Sequence, residues 1–277
     1  MTTRFLLDSA HPFPGQPASL GKGELPLADE TGPGGGLSLN DWLEFLRGQT
    51  GAVFPAGDSA VPVEQPGVLI PEHYEHKYAY PLIIWVVDGK RTTTSQGVGL
   101  LSGISSRNYL GLVFRPDSLT TNSDGSLTIS DDPAALERDA DRLRQQVTEL
   151  RRSYHVHSER IFVGGAGLAG TWALQMGLQQ PDWFAGLFSL GGGLPQQQRL
   201  LRNFRSLQGK RVLLSRGQRD LQWSSQQLRS ATVLLHSAGM QLCERTYDTG
   251  ADIIDPMLRD IDRWVMREIY QPRMVRS

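Results

Sequence analysis

Apolar residues recur along the chain in two alternating patterns from about residue 67 onward. In the first pattern they form short continuous runs bounded by turn residues, which is typical of strands buried on both faces. The runs predict strands at Gly67–Ile70, Leu82–Val87, Leu110–Phe114, Arg160–Gly164, Phe184–Leu190, Arg211–Ser215 and Gln241–Tyr247.

In the second pattern apolar residues recur at helical spacing. After the cap and first-turn pair Asp132-Pro133, this spacing predicts a helix of about twenty residues. Its buried face holds Leu136, Ala140, Leu143, Val147 and Leu150. Further helices are predicted at Gly170–Gln180, Ser224–Ser237 and Pro256–Tyr270, the last burying Leu258, Ile261, Val265 and Ile269. Repeated strand–helix units indicate an α/β fold: a mostly parallel sheet with helices on both faces and a ligand crevice at the carboxyl ends of its strands.

The segments on either side of this alternation have a different character. Residues 1–65 are rich in glycine and proline, which predicts a flexible N-terminal arm. Within it, Leu39, Trp42, Leu43 and Leu46 share one helical face, so we expect a short helix near 39–47. A single domain at 66–271 and a tail at 272–277 account for the rest of the 277 residues.

The composition of the chain limits the classes of binding partner that we expect. The net charge of −1 argues against a nucleic acid or an anionic membrane as partner. Only one cysteine, Cys243, is present, and no basic start precedes an apolar run, so we expect no disulfide and no signal peptide. The longest apolar stretch, Pro81–Val87, is far shorter than a membrane span of about 20 residues. We therefore expect a cytoplasmic protein whose partner is a small, apolar or ester-like ligand or another protein.

One turn carries a recognisable motif that has two interpretations. Gly165-Ala-Gly-Leu-Ala-Gly170 matches the G-x-G-x-x-G dinucleotide fingerprint between a strand and a helix. That interpretation also requires an acidic residue at the end of the next strand, where the sequence has Leu190-Gly-Gly-Gly193. The pair His155-x-His157 lacks a third metal ligand at suitable spacing. Neither a cofactor nor a metal is expected.

The second interpretation aligns the turn with the nucleophile elbow G-x-S-x-G, which places Gly167 in the serine position. The surrounding segments agree with this alignment: 160–174, 180–187, 68–74, 80–89, 210–220 and 247–252. Together they resemble the phospholipase/carboxylesterase family, including esterases similar to polyhydroxybutyrate depolymerases. The resemblance implies an α/β-hydrolase fold.

The same resemblance assigns positions to the catalytic parts. It places the acid at Asp220, leaves Gly167 at the nucleophile position and puts Ala251 at the histidine position. The oxyanion region corresponds to Asp88, Gly89 and Leu168, with Asp88 replacing a histidine that is usual in the family. We therefore expect an esterase-like domain without a working triad, which binds a ligand or partner instead. Two alternatives stay open: an active carboxylic-ester hydrolase that uses other residues, and a dinucleotide-binding oxidoreductase that uses Gly165–Gly170.

Overall fold

A computed structural model describes residues 67–194, 204–220 and 225–270. The predicted N-terminal arm with its helix near 39–47, and the predicted tail at 272–277, lie outside these ranges.

The described chain is built around a central sheet of seven strands in the order β1-β3-β2-β6-β7-β8-β9. Only β1 is antiparallel to its neighbour, and the other neighbouring pairs are parallel. Two further strands, β4 and β5, pair as a separate hairpin. The strands are β1 (Val68–Leu69), β2 (Tyr80–Val86), β3 (Leu110–Phe114), β4 (Leu119–Thr121), β5 (Leu127–Ile129), β6 (Val156–Ala166), β7 (Gly186–Leu190), β8 (Arg211–Gly217) and β9 (Gln241–Tyr247).

Helices cover both faces of the sheet, as the sequence predicts. They are α1 (Thr94–Ile104), α2 (Pro133–Ser153), α3 (Gly167–Gln179), α4 (Phe204–Leu207), α5 (Ser225–Ser237) and α6 (Asp255–Tyr270). Successive residues of β2 point to opposite faces of the sheet. On one face, Ile84 packs in an apolar core with α2, α3 and α5. On the other face, Ile83 packs in a second apolar core with α1 and α6. This arrangement confirms the predicted α/β class and leaves the carboxyl ends of the parallel strands free to form a site. None of the described helices combines the length and apolar character needed to cross a membrane.

Helix α1 and the β4–β5 hairpin were not predicted. Helix α1 begins with a capping box formed by Thr93 and Gln96, but its glycines lower its intrinsic helix propensity. Gly97 is required because a Cβ atom there would lie 2.9 Å from the Val113 side chain. The β4–β5 hairpin turns around Asp124-Gly125, a dipeptide typical of tight turns.

The bounds of two predicted elements need correction at the glycine-rich turn. The strand predicted at 160–164 extends over Val156–Ala166, and the helix predicted from Gly170 begins at Gly167. The strand runs directly into the helix because Gly167 takes a positive φ of 54°. A left-handed residue allows the chain to reverse direction without an intervening loop.

A buried polar network fixes α2 and α3 to the chain after β3. Asp139 of α2 is fully buried and accepts hydrogen bonds from the Ser118 amide (3.0 Å) and hydroxyl (2.5 Å). The Ser118 hydroxyl in turn accepts a 2.8 Å hydrogen bond from the indole N–H of Trp172 in α3. Each buried polar group here has a partner, so the network holds the helix that follows the glycine-rich turn.

Candidate functional site

A cavity of about 630 Å³ opens at the carboxyl ends of the parallel strands. Its lining includes residues from every loop to which the esterase resemblance assigns a catalytic position. Its lining consists of Asp88, Lys90, Arg91, Thr92, Gly125, Ser126, Leu127, Ala166, Gly167, Leu168, Thr171, Leu190, Gly191, Asp220, Ala251, Asp252 and Ile253. Of the residues predicted for the site, Asp88, Gly167, Leu168, Asp220 and Ala251 therefore meet in one cavity, whereas Gly89 is not part of the lining.

Gly167 stands at the corner between β6 and α3. Its φ of 54° lies in the left-handed region, which a residue with a side chain adopts only with strain. Apart from its own neighbours in the chain, no atom of the described residues lies within 4 Å of a Cβ atom built on Gly167. The backbone thus makes the sharp turn expected of an elbow, and the described residues leave space for a side chain at this position.

The two flanking glycines of the motif have a different role. A Cβ atom on Gly165 would lie 2.8 Å from the carbonyl oxygen of Val86, and one on Gly170 would lie 2.7 Å from the carbonyl oxygen of Gly165. Both glycines are needed because β2, β6 and α3 approach each other closely. Packing and turn geometry therefore account for the G-x-G-x-x-G pattern without a bound dinucleotide.

The loops at the acid and histidine positions lie side by side. Asp220 follows β8 and is buried, and its Oδ2 atom lies 2.9 Å from where a Cβ atom of Gly191 would stand. The amide of Gln218 donates to the carbonyl of Tyr247 (2.8 Å), and the amide of Arg219 donates to the carbonyl of Thr249 (3.0 Å). These bonds tie the loop that carries Asp220 to the loop that leads to Ala251, and both residues line the same cavity.

Asp88 organises the loop between β2 and α1. Its Oδ1 atom accepts hydrogen bonds from three consecutive backbone amides, those of Lys90 (3.0 Å), Arg91 (2.7 Å) and Thr92 (3.0 Å). The fourth amide of the loop, that of Gly89, donates to the carbonyl of Thr92 at 3.1 Å. The carboxylate therefore acts as the internal acceptor for this loop.

Two walls of the cavity were not predicted from the sequence. The first is the turn of the β4–β5 hairpin, which Lys90 Nζ holds by a 2.6 Å hydrogen bond to the carbonyl of Gly125. The second is Thr171 on α3, whose hydroxyl accepts from the amide of Gly193 at 2.9 Å. The Asp-Gly turn was a usable signal for the hairpin, but nothing local to it indicates that it would lie beside Gly167.

The histidines of the described residues lie away from the cavity. Within the described ranges, no histidine lines it, and His155 and His157 lie at the start of β6, at the opposite end of the strand from Gly167. Burial lowers the pKa of His157, and the positive charge of Arg160 lowers it further. In the part of the chain that is described, histidine, cysteine and acidic side chains form no group of three that could hold a metal ion.

Comparison with known proteins identifies solved structures of similar fold but no matching family model or curated sequence. No family model matches the chain, and no curated protein sequence matches it. Among solved structures, the carboxylesterase of Bacillus cereus is 15% identical with a TM-score of 0.55, and the match covers 74% of this chain and 95% of that one. SOBER1 of Arabidopsis thaliana is 17% identical with a TM-score of 0.55, over 69% of this chain and 100% of that one. YahD, solved with malic acid, is 16% identical with a TM-score of 0.54, over 73% and 99% respectively. At this level of identity the likeness concerns architecture alone, and the chain has the α/β-hydrolase fold of these structures.

Proposed function

We propose that this chain is an esterase-like domain that does not catalyse ester hydrolysis and instead uses the cavity to bind a small ligand. The observation that carries the proposal is the composition of the cavity at the elbow. Gly167 and Ala251 line it, and no histidine in the described residues does.

The chemistry of acyl transfer explains why these two positions matter. A serine hydroxyl attacks well only when an imidazole takes its proton, and a carboxylate orients that imidazole. With glycine at 167 and alanine at 251, both the attacking oxygen and the proton acceptor are missing from their positions. Loss of such a pair lowers kcat by about 10⁶-fold in a serine hydrolase, so any residual turnover is expected to be far slower than that of a working esterase.

Three of the described residues with hydroxyl groups line the cavity, Thr92, Ser126 and Thr171, and they are poor replacements for a serine nucleophile. The Thr171 hydroxyl is directed to the backbone, donating to the carbonyl of Gly167 at 3.4 Å and accepting from the amide of Gly193. The Ser126 hydroxyl is held within its own hairpin, where it accepts a 2.9 Å hydrogen bond from the side chain of Asn122. Because no histidine of the described residues lines the cavity, none of these three hydroxyls has there the imidazole that activates a serine nucleophile.

The size of the cavity supports binding. A volume of about 630 Å³ lies within the range typical of sites for small molecules, roughly 300 to 1,000 Å³. Leu127, Leu168, Leu190 and Ile253 supply apolar surface beside the polar loops. The proposed occupant is a small, partly apolar molecule of ester size, with a protein partner as the other possibility, and the proposed location is the cytoplasm.

The test compares the natural chain with a variant in which both missing groups are restored. Turnover of p-nitrophenyl acetate and butyrate, and labelling by a fluorophosphonate probe, are measured on the natural chain and on Gly167→Ser/Ala251→His. Gly167→Ala/Ala251→His is the matched control, because it carries the same backbone strain and the same histidine without the hydroxyl. Circular dichroism verifies that all three proteins are folded.

We expect the natural chain and the control to be unlabelled and to hydrolyse the esters no faster than buffer. The Gly167→Ser/Ala251→His variant is expected to become labelled at the introduced serine, since the Cβ position there is open. Turnover by the natural chain together with stoichiometric labelling of another residue would show an active hydrolase and end the proposal.

A further inference from the structure

The loop after β2 determines whether this site can hold the oxyanion that forms when an ester is attacked. In α/β-hydrolases the oxyanion is held by the amide that follows the nucleophile and by an amide from the loop that follows this strand. Here the amide after position 167 belongs to Leu168, at the start of α3, where backbone amides have no helical partner. The second donor must come from the loop 88–92.

We infer that Asp88 occupies this loop permanently as its internal anion, so that the loop cannot donate to an oxyanion. This inference rests on the proposed function and adds a third change to the two at Gly167 and Ala251. One carboxylate oxygen accepts the amides of Lys90, Arg91 and Thr92 at 2.7–3.0 Å, and the remaining amide, of Gly89, is bonded to Thr92. Each amide from 89 to 92 thus already has an acceptor.

The burial of Asp88 stabilises its hydrogen bonds to these amides. The residue is only 8% exposed, so water competes weakly for the same amides. Hydrogen bonds from amides to a carboxylate are roughly twice as strong as those between neutral groups. An incoming oxyanion would have to displace the carboxylate and would also meet its negative charge across the same cavity.

Substitution of Asp88 in the Gly167→Ser/Ala251→His variant should change its rate of labelling. In the Gly167→Ser/Ala251→His background, Asp88→Ala frees the amides and removes the charge, whereas Asp88→Asn removes the charge but keeps an oxygen that accepts from the amides. One oxyanion donor contributes about 10²-fold or more to kcat. We therefore expect fluorophosphonate labelling to accelerate by about 10²-fold with Asp88→Ala, and by clearly less with Asp88→Asn.

A control variant distinguishes the cavity loop from a general loosening of the backbone. Asp132 also accepts a backbone amide, that of Ala134 at 3.0 Å, but it caps α2 and does not line the cavity. Asp132→Ala in the same background should leave the labelling rate unchanged. Equal acceleration by Asp88→Ala and Asp88→Asn would assign the effect to charge alone and overturn the inference, and no acceleration by Asp88→Ala would overturn it as well.

Amide hydrogen exchange tests the same point without any catalysis. In the natural chain, the amides of residues 90–92 should be protected, and Asp88→Ala should abolish that protection while the amides of β2 stay protected. Unprotected amides at 90–92 in the natural chain would overturn the inference. If the natural chain hydrolysed esters, the proposed function would fail, but the exchange experiment would still decide the state of the loop.

Discussion

Alanine substitutions at two glycines of the same turn should have very different costs. Gly167→Ala introduces a Cβ atom that meets nothing within 4 Å, so its cost is the strain of a side chain at a φ of 54°. That strain is about 1 to 2 kcal/mol. Gly165→Ala places a Cβ atom 2.8 Å from the Val86 carbonyl oxygen and 3.2 Å from the Gly170 nitrogen, both of them backbone atoms. Because neither can move without shifting β2 or α3, we expect a loss of about 3 kcal/mol or more.

The assay is urea unfolding followed by circular dichroism, with thermal unfolding as a second measurement. For a domain of this size, each kcal/mol corresponds to a change in Tm of roughly 2–4 °C. The slope of the unfolding free energy against urea should be the same for both variants, because the surface exposed on unfolding does not change. Equal losses for the two substitutions, or a larger loss at Gly167, would refute the elbow geometry described here.

Three further predictions concern the scaffold and its dependence on pH. Ser118→Ala leaves the buried carboxylate of Asp139 and the indole N–H of Trp172 each short of a partner, so urea unfolding should show a loss of about 1–3 kcal/mol. Thr93→Ala removes the side-chain cap of α1 and should cost about 1 kcal/mol in the same measurement. The pKa of His157 is lowered in the folded chain, mainly by burial, so below its ordinary value of 6.5 the unfolded chain binds more protons than the folded one. The unfolding free energy should therefore decrease as the pH falls through about 6.5, and His157→Gln should remove that part of the decrease in a pH series of urea titrations.

Much of the fold was accessible from the sequence because burial on two sides imposes a simple pattern. Strands such as β2 and β3 are continuous apolar runs, and α2 shows its buried face at regular spacing. Helix α1 was not predicted, because the close contact that Gly97 allows with β3 is revealed only by the folded chain. Long-range packing thus stabilises helix α1 although its local helix propensity is low.

The candidate site was partly predictable for a related reason. Gly167, Asp220 and Ala251 each follow a strand, and the carboxyl ends of parallel strands share one edge of the sheet, so their meeting follows from topology. The bonding of Asp88 does not follow from topology. Its sequence position indicated only a negative charge near an expected oxyanion, whereas its three hydrogen bonds depend on how the next four residues curl around the carboxylate.

The strand order also determines when the protein can fold during synthesis. Every residue of β2 is buried, and β2 pairs with β6, so that Leu82 lies opposite Ile161. A ribosome adds about 5–20 residues per second, so roughly 80 residues of chain delay this pairing by about 4–16 s. During that interval β2 exposes a strongly apolar edge to the cell. Chaperone dependence and aggregation of the nascent chain are therefore built into this topology, whether or not the cavity retains any chemistry.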